Sequence, residues 1–229
     1  GEYASKIKGY QRFSREQEVL EKISSSFISI DRKNVKEKID EMFEMSAEIL
    51  EFSNAYLIEF SEDYEDAMIL NTCVKDPESG SSPFHSGMKV KTATLPMAQT
   101  LIAQKAPVTC EDFTNIADEA GEQRDFFRSR GIESSFALPV MLDKKITGMI
   151  ITEFPDRYDI GFREGLLNFL QIVANILGDA RKKILYENRL YNSAYFDEAT
   201  KLANRNMLKK KLNQVIGDRK GSEKIAVLG

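Results

Sequence analysis

Ser135-Phe136-Ala137-Leu138-Pro139-Val140-Met141-Leu142 and Ile146-Thr147-Gly148-Met149-Ile150-Ile151-Thr152-Glu153-Phe154 are two apolar runs joined by Asp143-Lys144-Lys145. β-Branched and aromatic residues on either side of a charged connector read as a β-hairpin. Working back from it, Pro107-Val108-Thr109-Cys110 reads as a short strand. A helix is expected at about 94–104, with Leu95, Ala98, Leu101 and Ile102 apolar, and a short strand at 88–92. A second hairpin is expected where Ala55–Phe60 and Ala67–Val74 flank an acidic turn. Asp76–Gly87 (DPESGSSPFHSG) is the clearest loop. Between the strands, a short helix near 122–130 carries Phe126 and Phe127.

Helical spacing takes over at both ends. Phe13, Leu20, Ile23, Phe27 and Ile30 predict a helix over about 10–30. Val35, Ile39, Met42, Phe43, Ile49 and Leu50 predict another over 34–52, with Asn34 as its N-cap. A long helix runs from Phe162 to about 193. The order of elements is that of an α+β fold with an antiparallel sheet.

The chain has 229 residues, 42% hydrophobic and 30% charged, an ordinary globular composition for one or two domains. A net charge of −4 argues against nucleic acid as the main partner, because phosphate neutralisation needs a basic face. Cys73 and Cys110, far apart and the only cysteines, make no disulfide framework and fit a reducing cytoplasm. With one His, a structural zinc site is hard to close, and no metal is expected. No run approaches the length of a membrane span, and no signal peptide is visible. Gly1 and the ending Val227-Leu228-Gly229 read as the limits of a piece cut from a longer chain.

Several segments together resemble the GAF domain. Ser53-Asn54-Ala55-Tyr56-Leu57-Ile58 is similar to its first strand entry, and Lys105-Ala106-Pro107-Val108-Thr109 to the step into the strand before its binding loop. Gly131–Val140 and Ile146-Thr147-Gly148-Met149-Ile150 resemble its two following strands. The likeness covers about 19–180. It implies a GAF/PAS-like antiparallel sheet flanked by helices, with a long C-terminal coiled-coil signalling helix. Tyr195–Arg205 resembles the opening of diguanylate cyclase (GGDEF) domains through Asp197, Thr200, Leu202, Asn204 and Arg205. Ala199 stands where that family has Leu, and Lys201 where it has Gly. Asn204 can cap a following helix with Leu208, Leu212, Val215 and Ile216 as its stripe. The implied organisation is an N-terminal helical linker (1–18), a GAF-like sensor domain (19–161), a signalling helix (162–195) whose first half packs on that domain, and the start of a GGDEF-like domain (196–229).

Leu166, Leu170, Val173, Leu177, Ala180 and Ile184 alternate spacings of four and three, which is a heptad seam for a parallel homodimer, or the stripe of a helix on its own sheet. The resemblance places a ligand on the face covered by segments 84–113 and 122–136. Phe84, His85, Cys110, Phe113, Phe126 and Phe136 are the candidate contacts there, with Asp112, Glu119, Arg124 and Arg128 as polar handles. No Ser/His/Asp or Cys/His arrangement is present, and no cyclase catalytic residue, so the chain itself is not expected to be an enzyme. GTP and magnesium are implied only for the missing domain. The expected role is a sensor that binds a small molecule and controls cyclic-di-GMP signalling downstream; the alternative is a ligand-free dimerisation scaffold ahead of a degenerate GGDEF domain.

Overall fold

The computed structural model describes residues 1–110, 121–156, 163–219, 221 and 226. The hairpin forms as read. Strands β5 (Ser134–Leu142) and β6 (Lys145–Phe154) pair antiparallel, with Ser135 opposite Glu153 and Ala137 opposite Ile151. Asp143 turns the chain at φ +52, a left-handed conformation that Asp adopts more readily than most residues. The second hairpin is β1 (Asn54–Phe60) with β2 (Asp66–Val74). Two short strands, β3 (Lys89–Lys91) and β4 (Val108–Cys110), form the edges. Among the described residues the sheet has six strands in the order β3-β2-β1-β6-β5-β4.

The two hairpins meet along β1 and β6, where Asn54 lies opposite Glu153 and Leu57 opposite Ile150. Gly148 sits opposite Glu59, and a Cβ there would meet the Ile58 carbonyl oxygen at 2.2 Å. The residue in the middle of this strand must therefore be glycine for the hairpins to join.

Period-two alternation divides the sheet into two faces. One carries Tyr56, Ile58, Ile69, Ala137, Met149 and Ile151 and is covered by helices α3 (Ala98–Gln104) and α4 (Gly121–Arg128) and the loop before β3. The other packs against helix α2 (Val35–Leu50) and the first part of α5 (Arg163–Tyr195), while α1 (Glu2–Ile28) packs on α2. Asn71 of β2 donates to Asp40 Oδ1 (2.8 Å) and the Lys36 carbonyl (3.2 Å) of α2. Arg181 of α5 pairs with Glu59 of β1. Gly178 lets α5 approach so closely that a Cβ would stand 2.4 Å from the Met141 carbonyl oxygen.

Three local expectations need correction. Helix α1 begins at Glu2, well before residue 10, and its apolar residues Tyr3, Ile7, Tyr10 and Phe13 are exposed. Helix α3 begins at Ala98 rather than 94. Leu95 precedes a proline and is extended at ψ 128, and Met97 is left-handed at φ 62, so the first turn cannot close earlier. Asn34 occupies the N-cap of α2 without capping it. Its Oδ1 accepts from Asp31 N (2.7 Å), and Asp31 Oδ1 in turn accepts from Lys33 N (2.7 Å) and Asn34 N (3.1 Å).

Of the two readings of the α5 stripe, a dimer seam or a helix on its own sheet, the second describes its first half: Leu166, Leu170, Val173, Leu177 and Ala180 are all buried within the chain, and Ile184 is half-buried. A four-three spacing makes one apolar stripe, and the chain's own sheet covers it.

The chain divides into compact units 1–181 and 182–229. In the second, Asp197 Oδ1 accepts from Ala199 N (3.1 Å), Thr200 N (2.8 Å) and Thr200 Oγ1 (2.9 Å). The Thr200 amide, followed by its hydroxyl, holds the Asp197 carboxyl below its ordinary range. Lys201 takes φ +59. Asn204 Oδ1 then caps helix α6 (Arg205–Asp218), accepting from Asn206 N (2.9 Å) and Met207 N (3.1 Å). The stripe on α6 stays open: Leu208, Val215 and Ile216 are about half exposed.

Candidate functional site

The face beneath α4 and the 81–86 loop holds a buried carboxylate that sequence reading missed. Glu153, Asn54 and Tyr56 project from β6 and β1 on the side of Met149 and Ile151. Glu153 has no exposed surface. Arg130, in the turn after α4, meets it as a fork: Nη2 donates to Glu153 Oε1 (2.7 Å) and Nη1 to Oε2 (2.9 Å). Asn54 Nδ2 donates to Oε2 (3.0 Å), and the Tyr56 hydroxyl lies 3.3 Å from the same oxygen. Bidentate, charge-assisted bonds of this kind are the strong ones in a protein.

The remaining Arg130 donors reach the walls. Nη1 also donates to the Ser81 carbonyl (2.9 Å), and Nε to the Phe126 carbonyl (3.0 Å). Ser81 Oγ donates to Asn54 Oδ1 (3.3 Å), and Tyr56 OH donates to Ser82 Oγ (2.9 Å), whose own hydrogen goes to the Phe84 carbonyl (2.9 Å). One network therefore ties the loop, the end of α4 and both central strands together. Burial, followed by the Glu153 charge, pushes the Tyr56 phenol above its ordinary pKa, so it remains a neutral donor.

Aromatic rings enclose the network. Phe84 meets Tyr56 edge-on at 5.2 Å and lies 6.5 Å from Phe126, which meets Phe127 edge-on at 5.4 Å. The Arg130 guanidinium lies over the Phe126 ring at 4.2 Å from its centre, within cation–π range.

The fold and this site can be set beside known proteins. The GAF domain model matches residues 35–180, more than half of the chain. The chain belongs to the GAF family. Among solved structures, it is similar to the phycoerythrobilin-bound GAF domain of a cyanobacterial phytochrome at 13% identity and a TM-score of 0.61, covering 76% of this chain and 98% of that one. It is also similar to the GAF domain of a phosphoenolpyruvate-protein phosphotransferase from Acinetobacter (16% identity, TM-score 0.56, 77% and 97% covered). The corresponding domain from Coxiella burnetii is similar at 10% identity and a TM-score of 0.56, with 77% and 98% covered. At such identities the likeness is one of fold. A comparison with curated proteins finds no match.

Within this GAF domain the expected contacts separate. Phe84, Cys110 and Phe126 lie on one face, packed around its core. His85 is exposed, with Nδ1 3.3 Å from the Ser86 carbonyl. Phe113, Asp112 and Glu119 lie outside the described residues. Phe136 does not belong to the group: its ring is buried on the opposite face, the one covered by α2 and α5, edge-on to Phe154 at 5.7 Å. The reason is the pleat, since Ala137 faces the site and its neighbour must face away. Of the two polar handles on α4, Arg124 is part-buried and lies 3.9 Å from Asp125, and Arg128 is exposed. Glu153 carried a readable signal, as a carboxylate two residues beyond Ile151 on the apolar side of a strand. Arg130 carried none, because its partner is 23 residues away and across the sheet.

Among the described residues no group of His, Cys, Asp and Glu is placed to hold a metal ion, and no helix is long and apolar enough to cross a membrane. Cys73 and Cys110 are half-buried and not disulfide-bonded. Burial, then the charges of Glu44 and Asp40, raise the Cys73 thiol, which disfavours the reactive thiolate.

Proposed function

We propose that this chain is a regulatory module: its GAF domain binds a small molecule at the face bearing Phe84 and Phe126, and helix α5 relays the event to a diguanylate-cyclase-like domain that follows. The observation that carries the downstream reading is the turn at 197–204. Lys201 stands where the resembled GGDEF opening has glycine, and it adopts φ +59, a conformation that glycine takes without strain. Asp197, Thr200 and Asn204 hold that turn and cap α6. The sensor reading rests on a polar cluster within an aromatic wall, on a rigid sheet beneath a loop, which is where binding residues concentrate. The bound phycoerythrobilin of the phytochrome neighbour gives precedent for a small molecule on this fold.

In this reading the protein is a cytoplasmic homodimer, and a ligand shifts the balance between two arrangements of paired α5 helices. GTP and magnesium serve only the following domain, and the present chain makes no cyclic-di-GMP when given both. The sensor role is tested by thermal-shift screening with purines, cyclic nucleotides, amino acids and organic acids. A hit is expected to lose its effect in Phe84→Ala and Phe126→Ala; a hit indifferent to both places the ligand elsewhere. A second reading, a dimerisation scaffold that binds nothing, is favoured by the way Phe84, Phe126 and Arg130 fill the face. A screen without hits, on a protein that light scattering finds dimeric, would select it.

A further inference from the structure

We propose that Glu153 and the rings around it form a cation site, that Arg130 is its tethered occupant, and that a small ligand bearing a guanidinium or ammonium group binds by replacing Arg130. This deepens the sensor reading and rests on it.

The charge on Glu153 decides the class of ligand. Asn54 supplies a neutral donor, the Tyr56 hydroxyl beside it is uncharged, and the cationic contact described comes from one side chain, Arg130. With that side chain swung out, what remains is a fully buried carboxylate, the Ser81 and Phe126 carbonyl oxygens as acceptors, and the face of the Phe126 ring. Every one of these attracts a cation that donates hydrogen bonds. An anionic ligand would have to draw Arg130 away and strand Glu153, and an uncompensated buried charge is strongly destabilising. A cationic ligand makes an exchange instead, leaving the charge count around Glu153 unchanged.

The two halves of the pair also differ in what holds them. Glu153, Asn54 and Tyr56 belong to the central strands, fixed by the β1–β6 ladder. Arg130 stands in the short turn between α4 and β5, beside Gly131 at φ +72. The carboxylate therefore stays in place while the tether can swing without breaking a strand pair. The Arg130 fork uses both Glu153 oxygens and both wall carbonyls, so a planar cation with several N–H donors fits better than a spherical metal ion. Leaving the Ser81 carbonyl also removes one of the ties that hold the 81–86 loop, which makes the exchange visible away from the site.

Calorimetric titration with methylguanidinium and agmatine, against sodium chloride at equal ionic strength, tests the exchange. The wild type is expected to bind agmatine saturably, with faster amide exchange at 81–86 and 129–131 on binding. Arg130→Ala removes the internal competitor, and agmatine is expected to bind it about tenfold more tightly or better. Should that variant fail to fold unaided, Arg130→Lys keeps the charge, loses the fork, and is expected to show the same direction. Glu153→Gln is expected to abolish binding. Agmatine that restores Arg130→Ala but does not bind the wild type at about 10 mM would make Arg130 a permanent strut and overturn the proposal. Neutral or anionic compounds that bind this face while both guanidines fail would also overturn it and leave the sensor reading standing. Failure of every compound would remove both.

Discussion

The two halves of α5 belong to one continuous helix and live in different surroundings. From Leu166 to Ala180 the stripe is buried, and it includes Phe169, Ala174 and Gly178. From Lys182 onward the same helix is open: Tyr186 is 49% and Leu190 71% exposed, and Tyr191 finds its company within its own unit, 4.8 Å from Tyr195. A four-three spacing thus announces a stripe and says nothing of what covers it. The discriminating residue is Gly178, beside the stripe, which is needed where a helix backbone comes close to a strand carbonyl.

That contrast can be broken by substitution. Leu177→Asp places a charge in the contact between α5 and the sheet, and the domain is expected to lose several kcal/mol, on the scale of about 3–5 kcal/mol for a buried unpaired charge. Urea unfolding reads it; a Leu177→Asp protein as stable as wild type but newly monomeric would return this half of the helix to the dimer seam. Gly178→Ala pushes a methyl group against the Met141 carbonyl and is expected to cost about 1–3 kcal/mol with the unfolding slope unchanged. If it instead stabilises the protein as an ordinary helical Gly-to-Ala change would, the close approach is not real.

Smaller effects belong to the second unit. Asn204→Ala removes the acceptor for the Asn206 and Met207 amides and is expected to cost about 1 kcal/mol of local helix stability. Faster amide exchange confined to 205–218 is the expected signature, and none at 163–180. Leu190→Asp is expected to change unfolding free energy by less than about 0.5 kcal/mol, as exposed sites do. Its effect should fall on association: the proposed homodimer weakens in light scattering if the open half of α5 forms the seam. A dimer unchanged by Leu190→Asp would move the seam to another surface, with the exposed Tyr3–Phe13 stretch of α1 the next to test.

Local regularities were legible because the residues that cause them are neighbours in the chain. The 135–154 hairpin, the 205–218 helix and its Asn204 cap could be read from spacing and capping chemistry alone, and the α+β order followed from them. Expectations slipped wherever one residue of phase or one distant partner mattered. Phe136 was grouped with the site on aromatic content, but the pleat turns it to the other face. Asn34 looked like a cap until the Asp31 backbone N–H supplied a competing donor for its Oδ1.

By itself, the sequence determined the elements, their kinds and the GAF resemblance, since periodicity and turn chemistry act over a few residues. Only the tertiary structure decided what each stripe covers and which charges meet. Arg130 and Glu153 have no mark that pairs them in sequence; they pair because β1 and β6 join at the centre of the sheet and the turn after α4 returns over that junction. A buried carboxylate must find its counter-charge wherever the fold brings one, and no local rule names where that will be.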